Sequence, residues 1–382
     1  MPARIIIGAD LVPTKNNFEL FKSGGAEALV GEKLLEKLNK ADYTIFNLEV
    51  PLTDEQHPIV KCGPNLIAPT ATIKGLKTIN PHFFGLANNH ILDQGVEGLA
   101  STVKVLEDAG IDYSGVGKNL AEASKPFIKE IGSRKIGIYC CAEHEFSIAT
   151  ETEPGANPFD PLESLDHVEQ LKRDTDYVIV LYHGGKEHYR YPSPNLQRVC
   201  RKLVDKGADL VVCQHSHCVG CEEKYGSGTI VYGQGNFLFD NSDSDFWQTG
   251  LLIGLNENFE VLYYPIVKAK NTVRLADEGK SKEILEAFYE RSEAIKSPEF
   301  VEKEYSKFAD SFCNTYLGAF LGKKTILSRI LNKLTRGRMF KAMLRNKYSK
   351  INMVQIANYV ECEAHRELML KGLSNSYNRS GK

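Results

Sequence analysis

The chain opens on a short apolar run, residues 3–7, that closes on Gly8-Ala9-Asp10, and the same arrangement recurs downstream. Apolar runs at 43–50, 83–87, 111–116, 136–142, 176–182 and 210–213 have the length of buried strands. Between them, 26–40, 96–109, 162–173 and 196–206 carry apolar residues at helical spacing, with Leu34, Leu35 and Leu38 on one side of the first. Strands alternating with helices predict a layered α/β fold. After residue 219 the pattern changes to four runs with short turns, 219–224, 229–232, 249–255 and 261–267, which predicts a second, mostly antiparallel sheet. From about 271 the strands stop, and 280–296, 299–312, 325–335 and 353–371 read as helices. The expected organisation is therefore 1–270 as one domain and 271–382 as a helical, partly basic extension.

Composition narrows this picture. The chain has 382 residues, 42% apolar and 25% charged, which is ordinary for a globular protein that needs no staple. A formal net charge of -2 leaves no electrostatic footprint for nucleic acid. The opening residues lack the roughly 7–15-residue apolar run of a signal peptide, and no stretch approaches a membrane span. The nine Cys include one C-x-x-C string, Cys218 to Cys221, without a second pair at zinc-ribbon spacing. Scattered cysteines without export signals point to reduced thiols, so the expected location is the cytoplasm.

Chemistry-bearing residues gather where the apolar runs end. Asp10 follows the first, Asn47 and Glu49 close the second, and Asn88, Asn89 and His90 follow the third. His183 follows the run at 176–182, and His215 and His217 follow 210–213. Taken singly, each has an ordinary structural reading: a hydrogen-bonded core histidine, or an Asp capping a turn. Together, five strand ends delivering carboxylate, amide and imidazole to one edge of an α/β fold form a candidate site. Those donors suit zinc, manganese or iron. The two rings of H-x-H share one side only if no bend intervenes.

The runs NNHILDQGVEGL (88–99), HGGKEHYRYPSP (183–194) and GADLVVCQHSHCVGCEEKYGSGTIVYGQGNFLFD (207–240), with NLEVPLT (47–53) and GVGKNLAEA (115–123), resemble the CapA family. That is the poly-γ-glutamate and capsule-synthesis group of the calcineurin-like metallophosphoesterase superfamily. The resemblance covers about 4–267 and implies a four-layer αββα metallophosphoesterase-like sandwich. It maps one or two divalent transition-metal ions onto Asp10, Glu49, Asn89, His183, His215 and His217. It gives His90 the role of proton donor, oriented by Asp93, and brings Glu187 near the site as an acid, base or substrate contact. Asn88 and Asn236 are expected as substrate contacts, with Asn236 near the rim. Two departures from ordinary phosphoesterases stand out: Val12 where their first motif has a second ligand, and Glu49 where they have a bridging Asp. The glycine-flanked Asn236 segment has no lysine at phosphate-loop spacing and reads as a turn.

The resemblance implies an enzyme of capsule or poly-γ-glutamate-like biosynthesis, with hydrolase-type chemistry on a phosphoester or amide. Its alternatives are a metal-assisted peptide epimerase and a non-catalytic assembly factor of a polymer synthase. The implied partner is a cell-envelope polymer or its precursor. Ten Lys and Arg between 323 and 350 occur without an acidic residue, interleaved with Ile326, Leu327, Ile330, Leu331 and Leu334. Such a basic amphipathic stretch suits an anionic membrane surface, here the inner face, or packs its apolar side on the core.

Overall fold

The computed structural model describes residues 4–239, 243–320 and 333–379. It divides into two compact units, Met1–Tyr305 and Ser306–Lys382.

The strands of the first unit are, in chain order, β1 (Ile5–Leu11), β2 (Tyr43–Leu48), β3 (Phe83–Gly85), β4 (Asp112–Ser114), β5 (Val116–Gly117), β6 (Phe127–Ile131), β7 (Arg134–Ala142) and β8 (Gly155–Ala156). They continue with β9 (Tyr177–His183), β10 (Leu210–Gln214), β11 (Glu222–Tyr225), β12 (Gly228–Tyr232), β13 (Asn236–Leu238), β14 (Thr249–Leu255), β15 (Val261–Ala269) and β16 (Thr272–Leu275). One sheet runs β16-β15-β14-β1-β2-β3-β4, with β13 also pairing β1; the other runs β11-β12-β10-β9-β7-β6. Strands β1 to β4 are mutually parallel, as are β7, β9, β10 and β12.

Both faces of the parallel strands are covered, which explains their unbroken apolar runs. Every residue of β1 and β2 is buried. In the second sheet the alternation of side chains separates two cores. Ile138, Cys140, Ile179, Leu181, Leu210 and Val212 join the core shared with the first sheet. Tyr139, Cys141, Val178, Val180, Val211 and Cys213 face a second core beneath the helices Ser164–Asp174 and Pro194–Asp205. Helices Glu32–Asn39 and Gly95–Ala109 add Leu34, Leu38, Leu99 and Leu106 on the other side of the first sheet. The result is a four-layer αββα sandwich.

Three local readings change. The helix expected over 26–40 is two helices, Ala26–Val30 and Glu32–Asn39, broken at Gly31. Gly31 adopts φ 75, and a Cβ there would stand 2.5 Å from Arg274 Cδ. The strands after residue 219 do not build a sheet of their own. Strands β11 and β12 extend the second sheet, β12 parallel to β10, while β13 to β16 extend the first. Their partners lie far away in sequence, and no local pattern selects among sheet edges. Near residue 270 the strands are ending, but the compact unit continues to Tyr305. Helix Glu278–Ala294 buries Ile284 and Phe288 in the main core, and its Ser292 Oγ accepts from Glu222 N at 2.8 Å.

The second unit holds helices Arg338–Lys347, Lys350–Glu361 and Glu363–Arg379 and most of Pro298–Phe320. Tyr348 OH donates to Leu317 O at 3.1 Å, and Leu344 is buried. Residues 321–332, which include most of the expected amphipathic face, lie outside the described residues; Leu334, from its end, is exposed. Among the described residues no helix is long and apolar enough to cross a membrane.

Candidate metal centre

The carboxyl ends of parallel strands from both sheets meet at one place. Asp10 lies near the end of β1, Glu49 just past β2, Asn88 to His90 beyond β3, His183 at the end of β9, and His215 and His217 beyond β10. Registry aligns them: Asp10 stands beside Asn47 of β2 and Asn236 of β13, and His183 beside Gln214. The H-x-H segment bends. His215 and His217 adopt φ 80 and 53, a left-handed backbone that non-glycine residues rarely hold outside functional sites. The bend sends the two rings to different partners.

His215 Nδ1 lies 3.2 Å from His183 Nε2. That same His183 nitrogen is 3.4 Å from Glu49 Oε1 and 3.0 Å from Asn89 Oδ1. His217 Nδ1 instead lies 3.5 Å from Asp10 Oδ2. Two clusters result, Glu49 with His183 and His215, and Glu49 with Asp10 and His217, each with its donor atoms within 4.8 Å of one another. Glu49 belongs to both. Its side chain is fully buried, and neither carboxylate oxygen has a hydrogen-bond partner. Histidine rings approach it loosely, His183 Nε2 at 3.4 Å and His90 Nε2 at 4.0 Å, and a bound cation would offset the cost of burying the charge more fully. Carboxylate, imidazole and carboxamide donors in a dry site fit a divalent transition metal.

The carboxylates and imidazoles of the cluster shift one another. Burial would raise the Asp10 carboxyl, but the His217 hydrogen bond and the charges of His183 and His217 hold it below the usual carboxylate value. Burial would lower His183, yet the adjacent Glu49 carboxylate raises it. Burial also opposes a proton on His217, but Asp10 and Glu49 push it up to about 9. For His215, burial and the neighbouring His183 and His217 act together and hold it well below its usual value.

His90 approaches from one side. Its Nδ1 lies 2.5 Å from Asp93 Oδ2, and its Nε2 lies 4.0 Å from Glu49 Oε1. Asp93 is gripped further by Leu66 N at 2.6 Å and by Lys61 Nζ at 2.5 Å. The Lys61 side chain is only 2% exposed. Nothing in the polar segment around Lys61 marks it in the sequence.

The remaining residues fall into place unevenly. Asn88 is buried and donates to Leu48 O at 2.9 Å and Asn47 Oδ1 at 3.2 Å, so it braces the site from within. Asn236 lies beneath the rim, 5% exposed, with its Oδ1 2.9 Å from His217 Nδ1. Glu187 is exposed on the loop after β9, outside the buried cluster. Two further residues support the ligands: Asn47, which the sequence reading noted only as closing a strand, and Glu145, which it passed over. Asn47 donates to Asp10 Oδ1 at 2.7 Å and lies 3.2 Å from His183 Nδ1. Glu145 accepts from Asn89 Nδ2 at 2.8 Å, orienting that amide. Glu145 follows the apolar strand β7, so the strand-end rule that found the other residues also marks it. Trp247 closes the His217 side, 5.1 Å between ring centroids, and its indole N–H donates to His188 Nε2 at 2.9 Å.

The family described as bacterial capsule synthesis protein PGA_cap matches residues 14–241. The capsule biosynthesis protein CapA of Bacillus anthracis is 31% identical over 212 residues, 53% of this chain and 52% of that protein. The PGA biosynthesis protein CapA of Bacillus subtilis is 29% identical over 258 residues, 64% of this chain and 67% of that protein. The matched region thus spans between half and two thirds of these relatives' lengths. Among solved structures, a phosphatase of Mycoplasma pneumoniae aligns with 70% of this chain and 94% of its own, at 15% identity and a TM-score of 0.45.

Proposed function

The chain belongs to the bacterial capsule synthesis protein PGA_cap family, and on that footing we propose that it is a metal-dependent, hydrolase-type enzyme of capsule or poly-γ-glutamate-like polymer biosynthesis. Its substrate is a phosphoester or an amide of a cell-envelope polymer or precursor. The observation that carries this reading is Glu49, a fully buried carboxylate without a hydrogen-bond partner, shared by two clusters of donor atoms. A platform that only binds a partner has no use for so costly a charge.

Asp10, Glu49, Asn89, His183, His215 and His217 would hold the metal. A divalent ion held there would supply an activated water and would polarise a phosphoryl or carbonyl oxygen. The protein's own groups do the rest. His90 presents Nε2 to the reacting side while Asp93 holds Nδ1, so the ring can pass a proton to a leaving group. Lys61 and Leu66 N fix Asp93 in turn. Asn47 and Glu145 set the angles of Asp10 and Asn89, the outer support that metal ligands need.

The test is elemental analysis of purified, Mn- or Zn-reconstituted protein, beside hydrolysis of an aryl phosphodiester with and without chelator. Wild type is expected to hold a transition metal and to lose turnover on chelation, and His215→Ala with His217→Ala to lose the metal. Full metal retention by the double variant would falsify the ligand assignment. No metal in reconstituted wild type would sink the enzyme reading.

A further inference from the structure

Resting on that metal reading, we propose that Asn236 is itself a ligand, completing the Asp10–Glu49–His217 cluster through its carboxamide oxygen. The two clusters are built alike when it is counted. In one, Asn89 Oδ1 lies 3.0 Å from a nitrogen of His183. In the other, Asn236 Oδ1 lies 2.9 Å from a nitrogen of His217. Donor atoms about 2.1 Å from a common ion stand about 3.0–3.4 Å apart, from octahedral to tetrahedral geometry. The His217–Asn236 distance and the 3.5 Å between His217 Nδ1 and Asp10 Oδ2 both sit close to that range.

Backbone geometry puts the residue there. β13 pairs with β1 so that Asn236 stands beside Asp10. The turn before it needs glycine: Gly235 adopts φ 74, and a Cβ would come within 2.7 Å of Thr249 O. Asn236 is 5% exposed; its Oδ1 faces His217 Nδ1, while its Nδ2 is buried without a hydrogen-bond partner, so hydrogen bonding accounts for only one end of the amide. Val12, two residues past Asp10, is in the core and offers no donor.

The competing role is an outer acceptor that only orients His217. The geometry disfavours it, because the ring nitrogen facing Asn236 is the one facing Asp10. An outer acceptor would sit behind the ring, on its other nitrogen.

The experiment compares full-length wild type, Asn236→Ala and Asn236→Asp by calorimetric titration with Mn²⁺ and by visible absorption of the Co²⁺-loaded proteins. Asn236→Ala is expected to weaken one class of ion by more than about 100-fold, beyond the roughly 10–100-fold that outer partners cost, and to change the Co²⁺ bands. Asn236→Asp keeps the shape and replaces the amide with a carboxylate. It is expected to hold both ions with shifted Co²⁺ bands, and it serves as the test if Asn236→Ala does not fold. Unchanged Co²⁺ bands in the folded variants would overturn the assignment, whatever the affinity. Wild type that takes up no ion at all would instead overturn the metal reading beneath it.

Discussion

Lys61→Met offers a test that does not depend on knowing the substrate. Lys61 and Asp93 form an ion pair with Nζ to Oδ1 at 2.5 Å and side-chain exposures of 2% and 0%. Deleting one partner of such a pair typically costs about 3–5 kcal/mol, because the other charge stays buried. Asp93 keeps Leu66 N and His90 Nδ1, so the lower end, about 3 kcal/mol, is expected. That is a large fraction of the roughly 5–15 kcal/mol that holds a domain folded. The chain has a single tryptophan, Trp247, packed against His217 at 5.1 Å, so its fluorescence in a urea titration reports unfolding of the unit that carries the site. Adding Asp93→Asn removes the stranded charge, and the double variant should recover about 2 kcal/mol relative to the sum of the single ones. A loss under about 1 kcal/mol in Lys61→Met, or strict additivity in the cycle, would show that the pair is solvated in solution and that the grip on Asp93 is not what the structure portrays.

Two further outcomes are expected. His90→Asn should keep metal and fold while lowering turnover of an aryl phosphodiester by about 10²–10⁴, the usual range for lost acid–base help; an unchanged rate would remove His90 from the mechanism. In metal-free protein, His217 is raised from 6.5 to about 9, so its stabilisation is complete below pH 6.5 and fades as pH rises through 9. His215, shifted the opposite way, costs stability below 6.5, where the unfolded chain takes a proton the folded one refuses. The melting temperature should therefore peak near pH 6.5 and fall toward pH 9.5, and His217→Asn should flatten the alkaline limb; a melting temperature still rising between pH 7 and 9 would contradict the shift.

Much was readable from residue order alone. Unbroken apolar runs between helical segments required a layered α/β fold, since only strands covered on both faces bury every side chain. Polar residues at the ends of those runs pointed to one edge, because parallel strands present their carboxyl ends together. Asp10, Glu49, Asn89, His183, His215 and His217 were all visible that way, and the structure brings all six together.

Tertiary structure decided what local pattern cannot encode. Whether β12 and β14 pair with each other or with β10 and β1 depends on edges formed by distant segments. The H-x-H spacing suggests two rings on one side, but left-handed backbone at both positions sends them to different clusters. Lys61 looks like any lysine in a polar loop, and only the fold of that loop over Asp93 buries its charge. Asn236 reads as a turn residue and a substrate contact near the rim, and only pairing of β13 with β1 sets it beside Asp10 and against His217. Sequence names the chemical groups a chain owns; the distances among them, a few ångströms across segments more than two hundred residues apart, exist only after the sheets have closed over one another.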